Sequence, residues 1–205
     1  MKCLNCGKEL NGICCGSCGA DLKKDRFCYI AKLEHAWTDA LTSYVREEDC
    51  KGEEIESGTS QKKQGDAYYY GKGTAQDYVK AAEWYAKAAL QGNSDAQKAL
   101  GNMFRDGKGV AQDYTKAAEW YEKSAIQGDS YAQCRLGEMY RYGKGTAQDY
   151  AKAVEWYEKS AAQGNSEAQC RLGYLYSAGK GVEQNYTKAV EWYEKSAVQG
   201  NSYGQ

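Results

Sequence analysis

Four cysteines near the start of the chain are spaced for metal chemistry: Cys3-x-x-Cys6 and Cys15-x-x-Cys18, each pair followed by a glycine. Two such pairs are the usual ligand set of a tetrahedral structural zinc site, with thiolates about 2.3 Å from the ion. The glycine after each pair lets the backbone fold over the sulfurs and donate amide hydrogen bonds to them. Sulfur would take all four coordination positions and leave none for a water, so the one zinc expected here is structural rather than catalytic. A disulfide framework and a redox pair are the rival readings. A stretch this short has almost no apolar core, however, and metal binding would supply its folding free energy, on the order of 10 kcal/mol. Cys14, beside Cys15, is read as an idle thiol.

A second chemical candidate is Gly-Lys-Gly, which suggests a phosphate cradle. The stretch "YGKGTAQDY" occurs twice, letter for letter, from Tyr70 to Tyr78 and from Tyr142 to Tyr150. The triplet itself occurs four times, at Gly71–Gly73, Gly107–Gly109, Gly143–Gly145 and Gly179–Gly181. Trp84, Trp120, Trp156 and Trp192 stand 36 residues apart, as do Tyr78, Tyr114, Tyr150 and Tyr186. A fixed period of this size marks a stacked repeat architecture. A phosphate cradle needs a strand before the loop and a helix N-terminus aimed at the anion, usually with Lys-Ser or Lys-Thr closing the motif. Here a helical pattern precedes the loop, so Gly-Lys-Gly reads as a turn between helices. Nor is hydrolytic chemistry indicated: His35 is the only histidine, and Glu83, Glu119, Glu155 and Glu191 recur at one repeat position beside lysines, as a solvated helix face would.

Each unit reads as two helices. The first opens at Ser94, Ser130 or Ser166 with Gln97, Gln133 or Gln169 three residues on, a capping-box pattern. Ala132, Leu136, Met139 and Tyr140 then follow at helical spacing. Asp77, Asp113, Asp149 and Asn185 are placed to cap the second helix, and Gly92, Gly128, Gly164 and Gly200 to end it. Small residues such as Ala117, Gly101 and Gly137 let helices approach closely, and all four tryptophans are assigned to the core.

The repeated letters "AQxxLGxMYxxGKGxAQDYxKAxEWYEKSAxQG" resemble the Sel1-like repeat family, a relative of the tetratricopeptide repeat, over about Gly58 to Gln205. The resemblance implies an all-α fold, an α/α superhelical solenoid of about four helix pairs, acting as a protein-interaction scaffold. In tetratricopeptide-type repeats the first helix of each pair lines the concave face, with core positions like those of Leu100, Gly101 and Phe104. It follows that Asp66, Tyr69, Lys98, Asn102, Arg105, Tyr131, Cys134, Glu138, Arg141, Cys170 and Tyr174 point into a groove holding a protein or peptide ligand. Some secreted cysteine-rich relatives are associated with β-lactam binding and pair cysteines eight residues apart. Here Ile126 and Ala162 stand eight before Cys134 and Cys170, so that pairing is missing and no enzyme is expected. Cys134 and Cys170 are one repeat step apart, on the order of 10 Å, beyond disulfide reach.

The cysteine head resembles the short double-knuckle zinc ribbon found at the N-terminus of many bacterial proteins. The chain then divides into a zinc ribbon (1–22), an amphipathic helix and polar linker (23–56) and the repeat array (57–205). Ile30, Leu33, Trp37, Ala40 and Tyr44 form one apolar stripe over Phe27 to Glu48, fit to cap a degenerate first unit. Glu47 to Lys63 reads as a flexible joint. "SYGQ" (Ser202–Gln205) begins a further capping box, so Tyr186–Val198 is expected to lack a covering neighbour unless a partner or a longer chain supplies one. Lys plus Arg (27) balance Asp plus Glu (28), and the basic residues of the head are offset by acids. That argues against nucleic acid, the alternative partner of a zinc-ribbon protein. Neither a signal peptide nor a run of about 20 apolar residues is found, so the expected compartment is the cytoplasm, where cysteines stay reduced. The combined expectation is a non-enzymatic adaptor whose oligomeric state the sequence leaves open.

The zinc reading is tested by metal analysis. Reduced, purified protein should carry about one zinc per chain, lost when Cys3, Cys6, Cys15 and Cys18 are replaced together, while circular dichroism shows the helical array intact. Protein without zinc, or a variant that loses most of its helix, would overturn the two-module organisation.

Overall fold

The computed structural model describes residues 56–200. Within them the chain forms eight α-helices and no strand: α1 (Gly58–Tyr70), α2 (Tyr78–Leu90), α3 (Ser94–Asp106), α4 (Tyr114–Ile126), α5 (Ser130–Tyr142), α6 (Tyr150–Ala162), α7 (Ser166–Ala178) and α8 (Tyr186–Val198). Odd and even helices alternate as the first and second members of four pairs, and every substantial contact joins helices adjacent in sequence. The result is a solenoid. The proposed ribbon, the Phe27–Glu48 helix and the "SYGQ" segment lie outside the described residues.

Within a pair, a glycine of the first helix faces a tyrosine of the second. A Cβ added at Gly101 would stand 2.7 Å from the Tyr121 ring, and one at Gly137 would stand 2.9 Å from Tyr157. A helical glycine costs about 1 kcal/mol against alanine, but here alanine would collide. Tyr85, Tyr121 and Tyr157 are buried, together with Leu100, Leu136 and Leu172. The tryptophans correct the sequence reading: only Trp120 is buried, while Trp84, Trp156 and Trp192 are half-exposed. Each lies beneath a lysine three residues on, with Nζ 4.3 Å from the Trp120 centroid for Lys123 and 4.1 Å from Trp156 for Lys159. Trp84, Trp156 and Trp192 thus take an edge position, where the ring carries a cation, while Trp120 keeps the core place the sequence reading gave it.

Asp77, Asp113, Asp149 and Asn185 cap the second helices as expected, but the caps of the first helices differ from expectation by one residue. Asn93, Asp129 and Asn165 are the N-caps, accepting from the amides of Ala96, Ala132 and Ala168. The glutamines assigned to a capping box are buried and tie three helices instead. Gln97 Nε2 donates to the Ala89 carbonyl of the preceding pair, and its Oε1 accepts from Gln127 of its own pair at 2.7 Å. Gln133 and Gln169 repeat the arrangement. Each buried amide is therefore paired, which removes most of the cost of burying it. The presumed joint from Glu47 to Lys63 ends earlier than read: Ser57 caps α1, and Gly58 to Lys63 are helical. Gln64, at the position of buried Leu100, is exposed on the outer face of the first pair. At the other end Val190 on α8 is exposed, although Ala82, Ala118 and Val154 at the same repeat position are buried.

Gly-Lys-Gly proves to be both a turn and a joint between units. Gly107 has φ 68° and closes α3, its amide bonding to the Met103 carbonyl. The lysine after it reaches back, with Lys108 Nζ 5.9 Å from the ring centroid of Tyr78 and Lys144 Nζ 5.6 Å from that of Tyr114. Gln112 closes the loop through the Arg105 carbonyl, and Asp113 caps α4. The second glycine rests on the preceding unit: a Cβ at Gly109 would lie 2.1 Å from the Tyr78 carbonyl oxygen. Gly73 has the same left-handed backbone (φ 76°) but nothing within 4 Å.

These two glycines separate backbone strain from contact between units. Gly73→Ala should cost about 1 kcal/mol, the strain of a left-handed alanine. Gly109→Ala should cost at least about 2 kcal/mol more, because helix backbone must move. Thermal or urea unfolding of the two variants gives the comparison, and equal losses would remove the proposed joint.

Candidate interaction face

The first helices α1, α3, α5 and α7 carry every residue assigned to the groove, and the structure groups them by seam. On the first pair, Asp66 accepts from the Tyr85 hydroxyl and from Lys62 Nζ, each at 2.8 Å. Tyr69 lies edge-on to Tyr70 and Tyr78. Between α3 and α5, Lys98 bridges Asp95 (2.8 Å) and the α5 cap Asp129 (2.6 Å). Burial opposes the charge on Lys98, but its bonds to Asp129 and Asp95 outweigh this and raise its pKa. The hydrogen bond from Lys98 holds Asp95 below the ordinary carboxylate range. Asn102 accepts from the Tyr121 hydroxyl at 2.6 Å and from Tyr131 at 3.2 Å, and Arg105 reaches the Tyr131 oxygen at 3.3 Å.

Between α5 and α7, two cations and two carboxylates form a closed square. Arg135 bonds Glu138 and Glu167, and Arg171 reaches the same two carboxylates at 3.3 and 3.4 Å. Arg141 lies outside the square, its guanidinium carbon 4.8 Å from the Tyr142 ring centroid and 4.4 Å from that of Tyr174. From the second pair onward the face thus carries inter-unit bridges, distinct at each seam, laid over a core that repeats. Asp66 and Tyr69 stay within the first pair and Tyr174 lies at the last seam, so the assigned residues form a row rather than one cluster.

A cavity of about 430 Å³ opens between α3, α4 and α5. Arg105 and Glu138, both anticipated, line it together with Asp106, Tyr121, Arg135 and Tyr142. Sequence reasoning missed Arg135 and Tyr142. Their signal was present in the register: Ala99, Arg135 and Arg171 share one repeat position, and Asp106, Tyr142 and Ala178 share another, so both vary as surface positions do. Cys134 corrects the reading in the opposite sense. It is 1% exposed and packs with Ala153, Tyr157 and Leu172 in the core, not in the groove. Burial pushes its thiol up to about 12, which keeps it a neutral, unreactive group near pH 7. Cys170 is half-buried, and the two sulfurs are not bridged to each other. Cys3, Cys6, Cys15 and Cys18 lie outside the described residues. Among those described, no group of three or more His, Cys, Asp or Glu side chains is arranged to hold a metal. No described helix is long and apolar enough to cross a membrane.

Comparisons with known proteins agree with this architecture. The Sel1 repeat profile matches residues 62–93, 94–129, 130–165 and 166–201. A protective antigen of uropathogenic Escherichia coli that displays an SLR fold is 39% identical, with a TM-score of 0.72 over 88% of this chain. A Sel1 repeat protein from Oxalobacter formigenes is 28% identical, with a TM-score of 0.70 over 89% of this chain and 72% of its own. The chain spans only 39% of the E. coli antigen. One curated relative, the ERAD-associated E3 ubiquitin-protein ligase component HRD3A of Arabidopsis thaliana, is 59% identical over 32 residues. That match covers 16% of this chain and 5% of the relative.

The repeated tyrosines provide an internal test of this face. Tyr121 is bonded to Asn102, whereas the Tyr157 hydroxyl is buried with no hydrogen-bond partner because Glu138, at the equivalent position, is held by the arginines. Tyr121→Phe should cost about 1 kcal/mol of unfolding free energy, while Tyr157→Phe should be neutral or slightly stabilising. Chemical denaturation measures both, and a larger loss at Tyr157 would contradict the assigned pairing.

Proposed function

The chain belongs to the Sel1 repeat family, and from that premise we propose that it is an interaction scaffold holding a protein or peptide partner along the face of its first helices. Sel1 repeat proteins generally serve as protein-interaction scaffolds, which supports the reading. The observation that carries it is the contrast between a fixed core and a variable face. Gly65, Gly101, Gly137 and Gly173 repeat without change, while Asp66, Asn102, Glu138 and Tyr174, one residue further on, are all different. Change from unit to unit beside unchanging glycines is what a surface specialised seam by seam requires, whereas packing alone would allow repetition there too. Exposed tyrosines beside arginines on α5 and α7 add the residue types that most often supply binding hot spots.

In this reading Cys3, Cys6, Cys15 and Cys18 hold one structural zinc, and the ribbon serves as a docking or stabilising module in a cytoplasmic, non-enzymatic adaptor. The similarity to a ubiquitin-ligase component extends over about one unit. It supports the use of such a repeat within an assembly, without identifying that assembly for this chain.

Site-specific photo-crosslinking in the native cell tests the choice of face. A photoreactive phenylalanine replacing Tyr174 on α7 should capture a discrete partner, and one replacing exposed Glu155 on α6 should not. Capture through Glu155 alone would transfer binding to the second helices. A quadruple cysteine variant in the same experiment reports whether the head contributes.

A further inference from the structure

The second and third units carry arginine at the same position of their first helices, but only one of the two is neutralised. Asp106 accepts from Arg105 Nε at 2.7 Å and from Nη2 at 3.1 Å. One repeat later the residue after the arginine is Tyr142, and Arg141 has no carboxylate partner among the described residues. Its guanidinium lies instead close to the rings of both Tyr142 and Tyr174, and its Nη1 is buried without a hydrogen-bond partner. Tyr142 is 51% exposed and Tyr174 37%, so this clamp opens at the surface.

Other buried polar atoms at this seam also lack partners. The Nε atoms of Arg135 and Arg171 and the hydroxyl of the fully buried Tyr157 are likewise buried and unpartnered. The square of Arg135, Glu138, Arg171 and Glu167 is neutral in itself and lends no negative charge to its neighbour. Lys180 adds a further cation, its Nζ 3.5 Å from the Tyr174 oxygen. The Tyr174 hydroxyl is drawn below its ordinary pKa by Lys180 first and by Arg141 after it, as a positive local potential requires.

Resting on the scaffold reading above, we infer that the Tyr142–Arg141–Tyr174 clamp receives an aspartate or glutamate side chain of the partner peptide. A carboxylate entering at the exposed rims of Tyr142 and Tyr174 would meet an arginine that lacks an acidic partner, and partial desolvation beside the two rings strengthens a charge-assisted bond to it. The surroundings favour a single carboxylate over a polyanion. Asp106 is already bonded to Arg105, and Glu138 and Glu167 to Arg135 and Arg171, so among the described residues of this row Arg141 is the one arginine left for an incoming carboxylate.

The test selects peptides from a displayed random library on the immobilised full chain and measures synthetic fluorescent copies in solution. Two variants accompany it: Arg141→Gln, and Tyr142→Asp, which rebuilds the Arg105–Asp106 arrangement at an exposed position and keeps the arginine. The native chain should enrich peptides containing Asp or Glu, and both variants should weaken the best of them about tenfold or more, with unchanged circular dichroism. Should Arg141→Gln fail to fold, Tyr142→Asp alone decides. Enriched peptides without acidic residues, or acidic peptides bound equally by a folded variant, overturn the clamp and leave the scaffold reading standing. Enrichment of no peptide overturns both. A single-stranded RNA oligonucleotide bound more tightly than any peptide, and lost in Arg141→Gln, would assign these cations to nucleic acid and overturn the carboxylate assignment.

Discussion

A tyrosine ring lying on bare helix backbone sets the geometry of every pair in this protein. Gly65, Gly101, Gly137 and Gly173 leave no side chain where Tyr85, Tyr121, Tyr157 and Tyr193 pack, and a Cβ at any of them would come within 2.9 Å of a ring atom. Such an approach brings the two helices close and rules out most alternative rotations of one against the other. It also has a chemical consequence. In the first two pairs the same ring carries its hydroxyl to the edge of the first helix, where Asp66 and Asn102 accept it. One contact therefore fixes the pair and joins its core to the variable face.

Stacking of pairs depends on three further devices, each built from residues that look chemical in the sequence. The glutamine that resembles half of a capping box is a buried tie between three helices. The lysine that resembles a phosphate ligand lies near a tyrosine ring of the preceding unit. The glycine that follows allows loop backbone to rest on helix backbone. Because each device acts only between neighbours, stability accumulates pair by pair, as in other quasi-one-dimensional arrays. Among the described residues, Gln64 on α1 and Val190 on α8 are exposed where their counterparts Leu100 and Val154 are buried.

The regular scaffold makes its irregularities easy to interpret. Along the first helices the side-chain bonds change from a tyrosine–aspartate bond within the first pair, through an asparagine shared by two tyrosines, to a square of arginines and glutamates between units. Replacing Asp106 by Tyr142 in the equivalent place exchanges a neutralised arginine for one clasped by aromatic rings. Such substitutions alter the local potential without disturbing the pair, because the core contacts lie on the opposite side of the same helix.

The sequence by itself determined the period, the all-helical character, the turns and most helix ends. These follow from interactions spanning a few residues: an aspartate accepting amides two and three positions on, a glycine adopting a left-handed backbone, an apolar stripe repeating every turn. Only the tertiary structure decided where side chains of equal local merit would go. Asn93 rather than Ser94 caps α3, since the glutamine of the supposed box is drawn off to a carbonyl in another pair. Tyr121 rather than its neighbour Trp120 lies against the helix backbone of Gly101, and Cys134 turns to the core while Glu138 faces the arginines. Each of these outcomes depends on the rotation and offset of one helix against the next. A spacing of three or four residues places a side chain on a helix face but does not specify which partner that face will meet.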